Sequence, residues 1–160
     1  MEFFLDAPDS LDLERILSVL ADDASDPVRP LVDRKFVPLD RNGILNGIID
    51  LIFEHGGKYY IVDWKTNWLG ASDADYAPGR IRAAMGNERY FLQSYLYSAA
   101  LLRFLRQRGM EYDAFGGVYY IFLRGLSRGT ENGIWFDGPP RDCLDRLLTL
   151  FKKETGDDDV

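Results

Sequence analysis

Asp50, Asp63 and Lys65 are the residues of this chain whose types and spacing could best do chemistry. They lie in Gly47-Ile-Ile-Asp50-Leu-Ile-Phe53 and Tyr59-Tyr-Ile-Val-Asp63-Trp64-Lys65, two β-branched and aromatic runs joined by Glu54-His-Gly-Gly-Lys58. Gly56-Gly57 is a hairpin turn signal between such runs. A turn centred there pairs residues whose numbers sum to 113, which sets Asp50 directly across from Asp63. Side chains alternate along a strand, so Lys65 projects from the face of Asp63. Opposed residues have Cβ atoms about 4.5–5.5 Å apart. Two carboxylates at about 5 Å repel by about 3 kcal/mol at an effective dielectric near 20. A pairing of this kind calls for a cation. Hard carboxylate oxygens suit Mg²⁺ or Mn²⁺ rather than zinc or iron. Such an ion can polarise a phosphate and lower the pKa of a water, and a lysine beside it can neutralise developing charge. Metal-assisted phosphodiester hydrolysis uses all three groups. The blander reading is an Asp–Lys–Asp ion cluster on a half-exposed sheet face. A one-residue register slip would send Asp50 to the other face.

A second polar group lies downstream. Arg89, Gln93 and Tyr97 are spaced i, i+4, i+8 and would share one side of a helix. A Gln and an Arg on an otherwise apolar helix need partners. They form either a satisfied core amide with a tyrosine reaching the surface, or a polar stripe that grips backbone phosphate or a base.

The elements that must position these groups follow from periodicity and punctuation. Glu2–Asp6 reads as a short strand. Asp9-Ser10 caps a helix to about Leu20, with Leu13, Ile16, Leu17 and Leu20 at helical spacing. Residues 21–42 are Asp/Pro-rich loop, apart from a possible strand at Lys35–Val37. The hairpin covers about 44–54 and 58–66, a loop runs to Pro78, and a short helix spans Pro78–Met85. A long helix extends from about Asn87 to Arg108 and ends at Gly109. It is apolar nearly all round in its middle and should be buried. Val118–Leu123 is apolar on both faces, the pattern of a central strand between layers. Gly133–Phe136 reads as an edge strand, and an amphipathic helix runs from about Pro140 to Lys152. The order predicts an α/β fold, a mixed sheet with helices on both sides. Residues 1–154 form one domain and 155–160 a disordered acidic tail.

The bulk numbers set limits. The length of 160 residues fits one domain. No apolar run approaches the ~20 residues of a membrane span, and no signal peptide opens the chain. One cysteine, Cys143, precludes an internal disulfide, and a cytoplasmic setting is the natural expectation. The net charge of −7 argues against nucleic-acid binding through the overall field, though not against a local site. Six arginines against one acid in residues 78–108 form a solvated helix face or a positive lip beside the acidic pair. No Gly-x-x-x-x-Gly-Lys phosphate loop is present, so no ATP site is expected.

Four tracts together carry a resemblance: Gly47-Ile-Ile-Asp50, Asp63-Trp-Lys-Thr-Asn-Trp-Leu-Gly70, Gln93-Ser-Tyr-Leu-Tyr97, and Phe115-Gly-Gly-Val-Tyr-Tyr-Ile-Phe-Leu-Arg-Gly125. Over about residues 39–136 the chain resembles the C-terminal nuclease domain of RecB, the β subunit of exodeoxyribonuclease V (RecBCD), within the PD-(D/E)XK nuclease superfamily. The resemblance implies a restriction-endonuclease-like core and Mg²⁺-dependent cleavage of DNA, with Mn²⁺ able to substitute. It implies Asp50 and Asp63 as acidic metal ligands, the Trp64 backbone carbonyl as a further ligand, and Lys65 as the catalytic lysine. Gln93 and Tyr97 match the motif that supports the site or the DNA, and Arg89 lies one turn before them. Asn67 and Tyr76 match recurrent positions. The implied setting is a helicase–nuclease for recombinational double-strand-break repair, with a helicase region in the same polypeptide and RecC- and RecD-like subunits as partners. The family also uses a histidine on a helix upstream of the first aspartate. None precedes Asp50 here, and His55 reads as a turn residue, so the chain is expected to be a fragment beginning after that helix. This departure leaves an alternative, a catalytically inert nuclease-fold domain for DNA guiding or subunit docking. The iron–sulfur branch of the superfamily needs several thiolates, which one cysteine does not supply.

Overall fold

A computed structural model describes residues 1–6, 13–21 and 44–151. The expected cap at Asp9-Ser10, the strand at Lys35–Val37 and the acidic tail lie outside the described residues. Strands β1 (Glu2–Asp6) and β2 (Ile44–Ile48) form an antiparallel pair. Strands β3 (Leu51–His55), β4 (Lys58–Lys65), β5 (Phe115–Phe122) and β6 (Ile134–Asp137) form a second sheet in the order β3-β4-β5-β6. Only β4 and β5 run parallel in it, so the sheet is mixed. The helices are α1 (Leu13–Ala21), α2 (Pro78–Asn87), α3 (Tyr90–Arg106) and α4 (Arg141–Leu150).

The hairpin has the expected register. Leu51 pairs with Val62 and His55 with Lys58 around Gly56-Gly57, both glycines at positive φ. The first arm, however, is not one strand. β2 ends at Ile48 and pairs with β1, and β3 starts again at Leu51. The cause is local competition for backbone groups. Ile49 N–H donates to the Met1 carbonyl at 2.8 Å, and the Met1 ammonium donates to the Ile49 carbonyl at 2.5 Å. With its backbone taken, Ile49 leaves the hairpin ladder and buries its side chain.

A second break separates α2 from α3. Arg89 is the only described non-glycine residue at positive φ, 59°. It lies in the left-handed region, which a non-glycine side chain adopts rarely. The expected long helix from Asn87 therefore begins at Tyr90, with Arg89 just ahead of its first turn.

β5 is an interior strand and β6 an edge, as expected. A bulge at the start of β5 pairs Tyr59 with Phe115 and Tyr60 with Gly117. Gly117 has φ +124°, and a Cβ there would come within 2.6 Å of the Phe136 ring and 2.8 Å of the Asp137 carbonyl. Glycine is what the bulge requires.

The alternation of the strands divides the sheet cleanly. One face carries Ile52, Ile61, Asp63, Lys65, Val118, Tyr120, Phe122 and Trp135. Helix α3 lies on this face, with the Phe91 ring edge-on to Trp135 and Ser94 Oγ donating to Asp137 at 2.9 Å. Helix α4 packs on α3, and α1 on α4. The other face carries Leu51, Phe53, Tyr60, Val62, Trp64, Tyr119, Ile121, Ile134 and Phe136, with His55 and the charged Lys58 at its turn end. Leu51, Phe53, Trp64, Ile134 and Phe136 remain exposed there. Helical cover was expected on both sides. Among the described residues it is complete on one, and β5 is apolar on its second face because an aromatic row lies there.

Candidate active site

Strand β4 brings Asp63 and Lys65 to the covered face at its carboxyl end. Both are buried, at 4% and 9% exposure. Lys65 Nζ lies 2.6 Å from Asp63 Oδ2. The approach is not aligned as a hydrogen bond, and Oδ2 has no other hydrogen-bond partner. Lys65 instead donates to Gln93 Oε1 at 2.9 Å, and Gln93 Nε2 donates to the Tyr97 hydroxyl at 2.9 Å. The ammonium also lies 3.7 Å from the centroid of the Tyr90 ring and 5.2 Å from that of Tyr120. A cation held against an aromatic face in a dry site gains ~2 kcal/mol or more.

Asp50 reaches the same place by a different route from the one register alone suggests. The ladder stops at Leu51–Val62, so Asp50 and Asp63 are not a backbone pair. A continued ladder would give the Trp64 N–H to Ile49. Met1 has captured Ile49, and the Asp50 carboxylate takes the Trp64 N–H instead at 3.0 Å. Asp50 remains exposed while Asp63 is buried. Burial pushes the Asp63 carboxyl above its ordinary value; the close Lys65 ammonium opposes this, and the charge of Asp50 adds to it. Burial also raises the Tyr90 and Tyr97 hydroxyls, and raises Tyr120 furthest.

The structure gathers Asp50, Asp63, the Trp64 backbone, Lys65, Gln93 and Tyr97 into one cluster. Arg89 lies at the N-cap of α3 in the left-handed region rather than within the helix. It still lines, with Phe3, Asn46, Leu92, Gln93 and Tyr97, a cleft of about 180 Å³ beside the cluster. Asn67 and Tyr76 stand behind it. Tyr90 Oη donates to Asn67 Oδ1 at 3.1 Å, and Tyr76 Oη donates to the Asn67 carbonyl at 3.3 Å. His55 closes the turn opposite Lys58, at the end of β3 away from Asp50.

Tyr90 is the contact that motif spacing missed. It precedes Gln93 by three residues, so both share one side of α3, and that signal was present in the sequence.

The donors fit a small hard cation. Two carboxylates face one region, and the buried Asp63 Oδ2 lacks a hydrogen-bond donor in line. Among the described residues no third Asp, Glu, His or Cys joins them. A family model for the PD-(D/E)XK nuclease superfamily matches residues 9–155. The chain belongs to the PD-(D/E)XK nuclease superfamily. Within it, the chain is similar to the RecBCD enzyme subunit RecB of Escherichia coli K12, 42% identical over 113 residues that are 68% of this chain and 10% of that protein. It is 39% identical over 112 residues to RecB of Haemophilus influenzae, covering 68% of this chain and 9% of that one. RecB of Mycolicibacterium smegmatis is 38% identical over 127 residues, 70% of this chain and 12% of that one. The chain thus spans about a tenth of the length of these relatives. Among the described residues no helix is long and apolar enough to cross a membrane.

Proposed function

We propose that this chain is a Mg²⁺-dependent DNA nuclease domain, with Mn²⁺ able to substitute. The observation that carries the reading is the buried Asp63–Lys65 pair with Asp50 beside it and a carboxylate oxygen free of aligned donors. Asp50, Asp63 and the Trp64 carbonyl would hold the ion, which supplies Lewis-acid polarisation of the phosphate and a more acidic water. Lys65 presents its ammonium to the charge that builds on the phosphate as water attacks phosphorus. The bond from phosphorus to the 3′-oxygen breaks, leaving a 3′-hydroxyl and a 5′-phosphate. Gln93, Tyr90 and Tyr120 hold that ammonium in place and keep the site dry on one side. Arg89 and Tyr97 line the approach for the DNA backbone.

The similarity to RecB supports exonuclease action in a RecBCD-type helicase–nuclease during recombinational repair, with the helicase region on the same polypeptide and RecC- and RecD-like partners. Asp50→Asn is the cleanest test, because Asp50 is exposed and Asn still accepts from Trp64 N–H. Mg²⁺-dependent cleavage of linear DNA should fall below detection while the thermal melt stays unchanged. Wild-type activity in this variant would overturn the site.

A second reading, an inert nuclease-fold domain for guiding DNA or docking a subunit, is favoured by the two-acid cluster. Calorimetric titration with Mn²⁺ separates the two. No heat of binding at millimolar metal, together with no cleavage, supports the inert domain.

A further inference from the structure

Beyond Lys65 the chain runs through Thr66, Asn67, Trp68 and Leu69, and Trp68 is 66% exposed. An exposed tryptophan in a floppy loop would carry little meaning, but this loop is pinned on every side. Tyr90 Oη holds the Asn67 side chain at 3.1 Å. The buried Tyr76 donates to the Asn67 carbonyl at 3.3 Å and accepts from Leu69 N–H at 3.2 Å. Arg124, just past β5, donates from Nε to the Thr66 carbonyl at 3.0 Å. The chain on both sides of Trp68 is therefore fixed, and its indole is held outward.

Arg124 does a second thing. Its guanidinium carbon lies 5.8 Å from the centre of the Trp68 ring. This is within the reach of a cation–π contact, and it sets a positive charge beside the aromatic surface. At 66% exposure the rest of the ring is open to solvent. Both residues lie at the carboxyl ends of the parallel strands β4 and β5, where open α/β sheets bind their ligands. Three residues separate Trp68 from Lys65, a span of at most about 11 Å.

A rigid, exposed aromatic ring with an arginine at its side is the pairing that unpaired bases stack on. We propose that Trp68 and Arg124 form a stacking station for one unpaired nucleobase, on the same strand as the phosphate presented to Lys65. This rests on the nuclease reading above for the position of that phosphate. It makes single-stranded DNA, not the intact duplex, the form engaged next to the site. Base identity would matter little, because every base offers a π face.

The experiment is binding of a fluorescent oligodeoxythymidylate to the whole chain in metal-free buffer, so that no cleavage intervenes. The same strand built from abasic units and a blunt duplex serve as controls. Trp68→Ala should weaken binding of the intact strand about 5- to 100-fold, and Trp68→Phe should hold it within a few-fold of wild type. The abasic strand should bind wild type more weakly than the intact one, with little further loss in Trp68→Ala. Indole emission quenched by the strand in wild type should lose that quenching in Trp68→Phe. Equal affinity of Trp68→Ala and wild type, or equal binding of abasic and intact strands, overturns the station. If wild type also cleaves DNA, the nuclease reading survives that result. A wild type that neither binds a single strand nor cleaves overturns both.

Discussion

The two faces of the four-stranded sheet carry opposite chemistry on the same strands. On the covered face Asp63 and Lys65 are charged, buried and held by α3. On the open face, beyond the His55–Lys58 pair at the turn, nine residues in three cross-strand rows carry no charge, and five of them are substantially exposed. Hydrophobicity alone would not leave so apolar a face open while two charges are buried on the other. Charges tolerate burial when paired and further held by hydrogen bonds, and α3 supplies Gln93 and the Tyr90 ring for that purpose. The aromatic face instead holds together laterally, with Phe53 stacked on Tyr60 at 5.1 Å and Tyr119 against Phe136 at 4.7 Å. Burial on this sheet therefore follows where helices lie as well as which side chains are apolar.

The contrast can be broken most severely at Lys65. In Lys65→Met the Asp63 carboxylate loses its buried counter-ion, and unfolding in denaturant should show a loss of roughly 3–5 kcal/mol. A double variant, Lys65→Met with Asp63→Leu, should recover much of it. A loss under 1 kcal/mol in the single variant would mean that water already solvates the pair.

Matched truncations on the two faces come next. Ile61→Ala removes a fully buried side chain under α3 and should cost about 2–5 kcal/mol. Phe136→Ala, half exposed on the edge strand, should cost about 1 kcal/mol. Equal losses by thermal denaturation would show that the open face is covered in solution.

Gly117→Ala tests the bulge that aligns β5 with β4. Positive φ and the close approach of Phe136 and Asp137 should together cost about 1–3 kcal/mol, with a weaker near-UV signal from Phe136's surroundings.

The smallest effect is in the pH dependence. The Asp63 carboxyl is raised in the folded protein, chiefly by burial. Between its ordinary value and its raised value the folded state binds more protons than the unfolded one. Its contribution is fully present below the ordinary value and is lost as pH rises through the folded one. In metal-free buffer the stability of wild type relative to Asp63→Asn should therefore increase as pH falls through that window. A difference that stays flat would mean that burial does not raise the Asp63 carboxyl in solution.

Much of this arrangement could be read from the residues in order. Gly56-Gly57 and the two flanking runs gave the ladder in which Leu51 meets Val62, and period-two alternation put Lys65 on the face of Asp63. The apolar middle of α3, the interior position of β5 and the edge position of β6 also followed from local pattern. The breaks did not. Ile49 leaves the hairpin because Met1, distant in sequence, takes its backbone groups. The turn at Arg89 interrupts a stretch whose propensities read as continuous helix. Each break decides a contact of the candidate site: the first turns the Asp50 carboxylate onto Trp64 N–H, and the second starts α3 at the tyrosine that faces Lys65.

The sequence by itself determined which groups are available and, through the two-residue period of a strand, which of them share a face. That is a local property of an extended backbone, and no distant contact is needed to set it. Tertiary structure decided which face is covered, how Asp50 arrives beside Asp63 without being its ladder partner, and how Tyr90 and Gln93 come to enclose one ammonium. Those outcomes depend on competition among groups far apart along the chain for the same hydrogen bonds and the same buried surface. Only the packed fold resolves that competition.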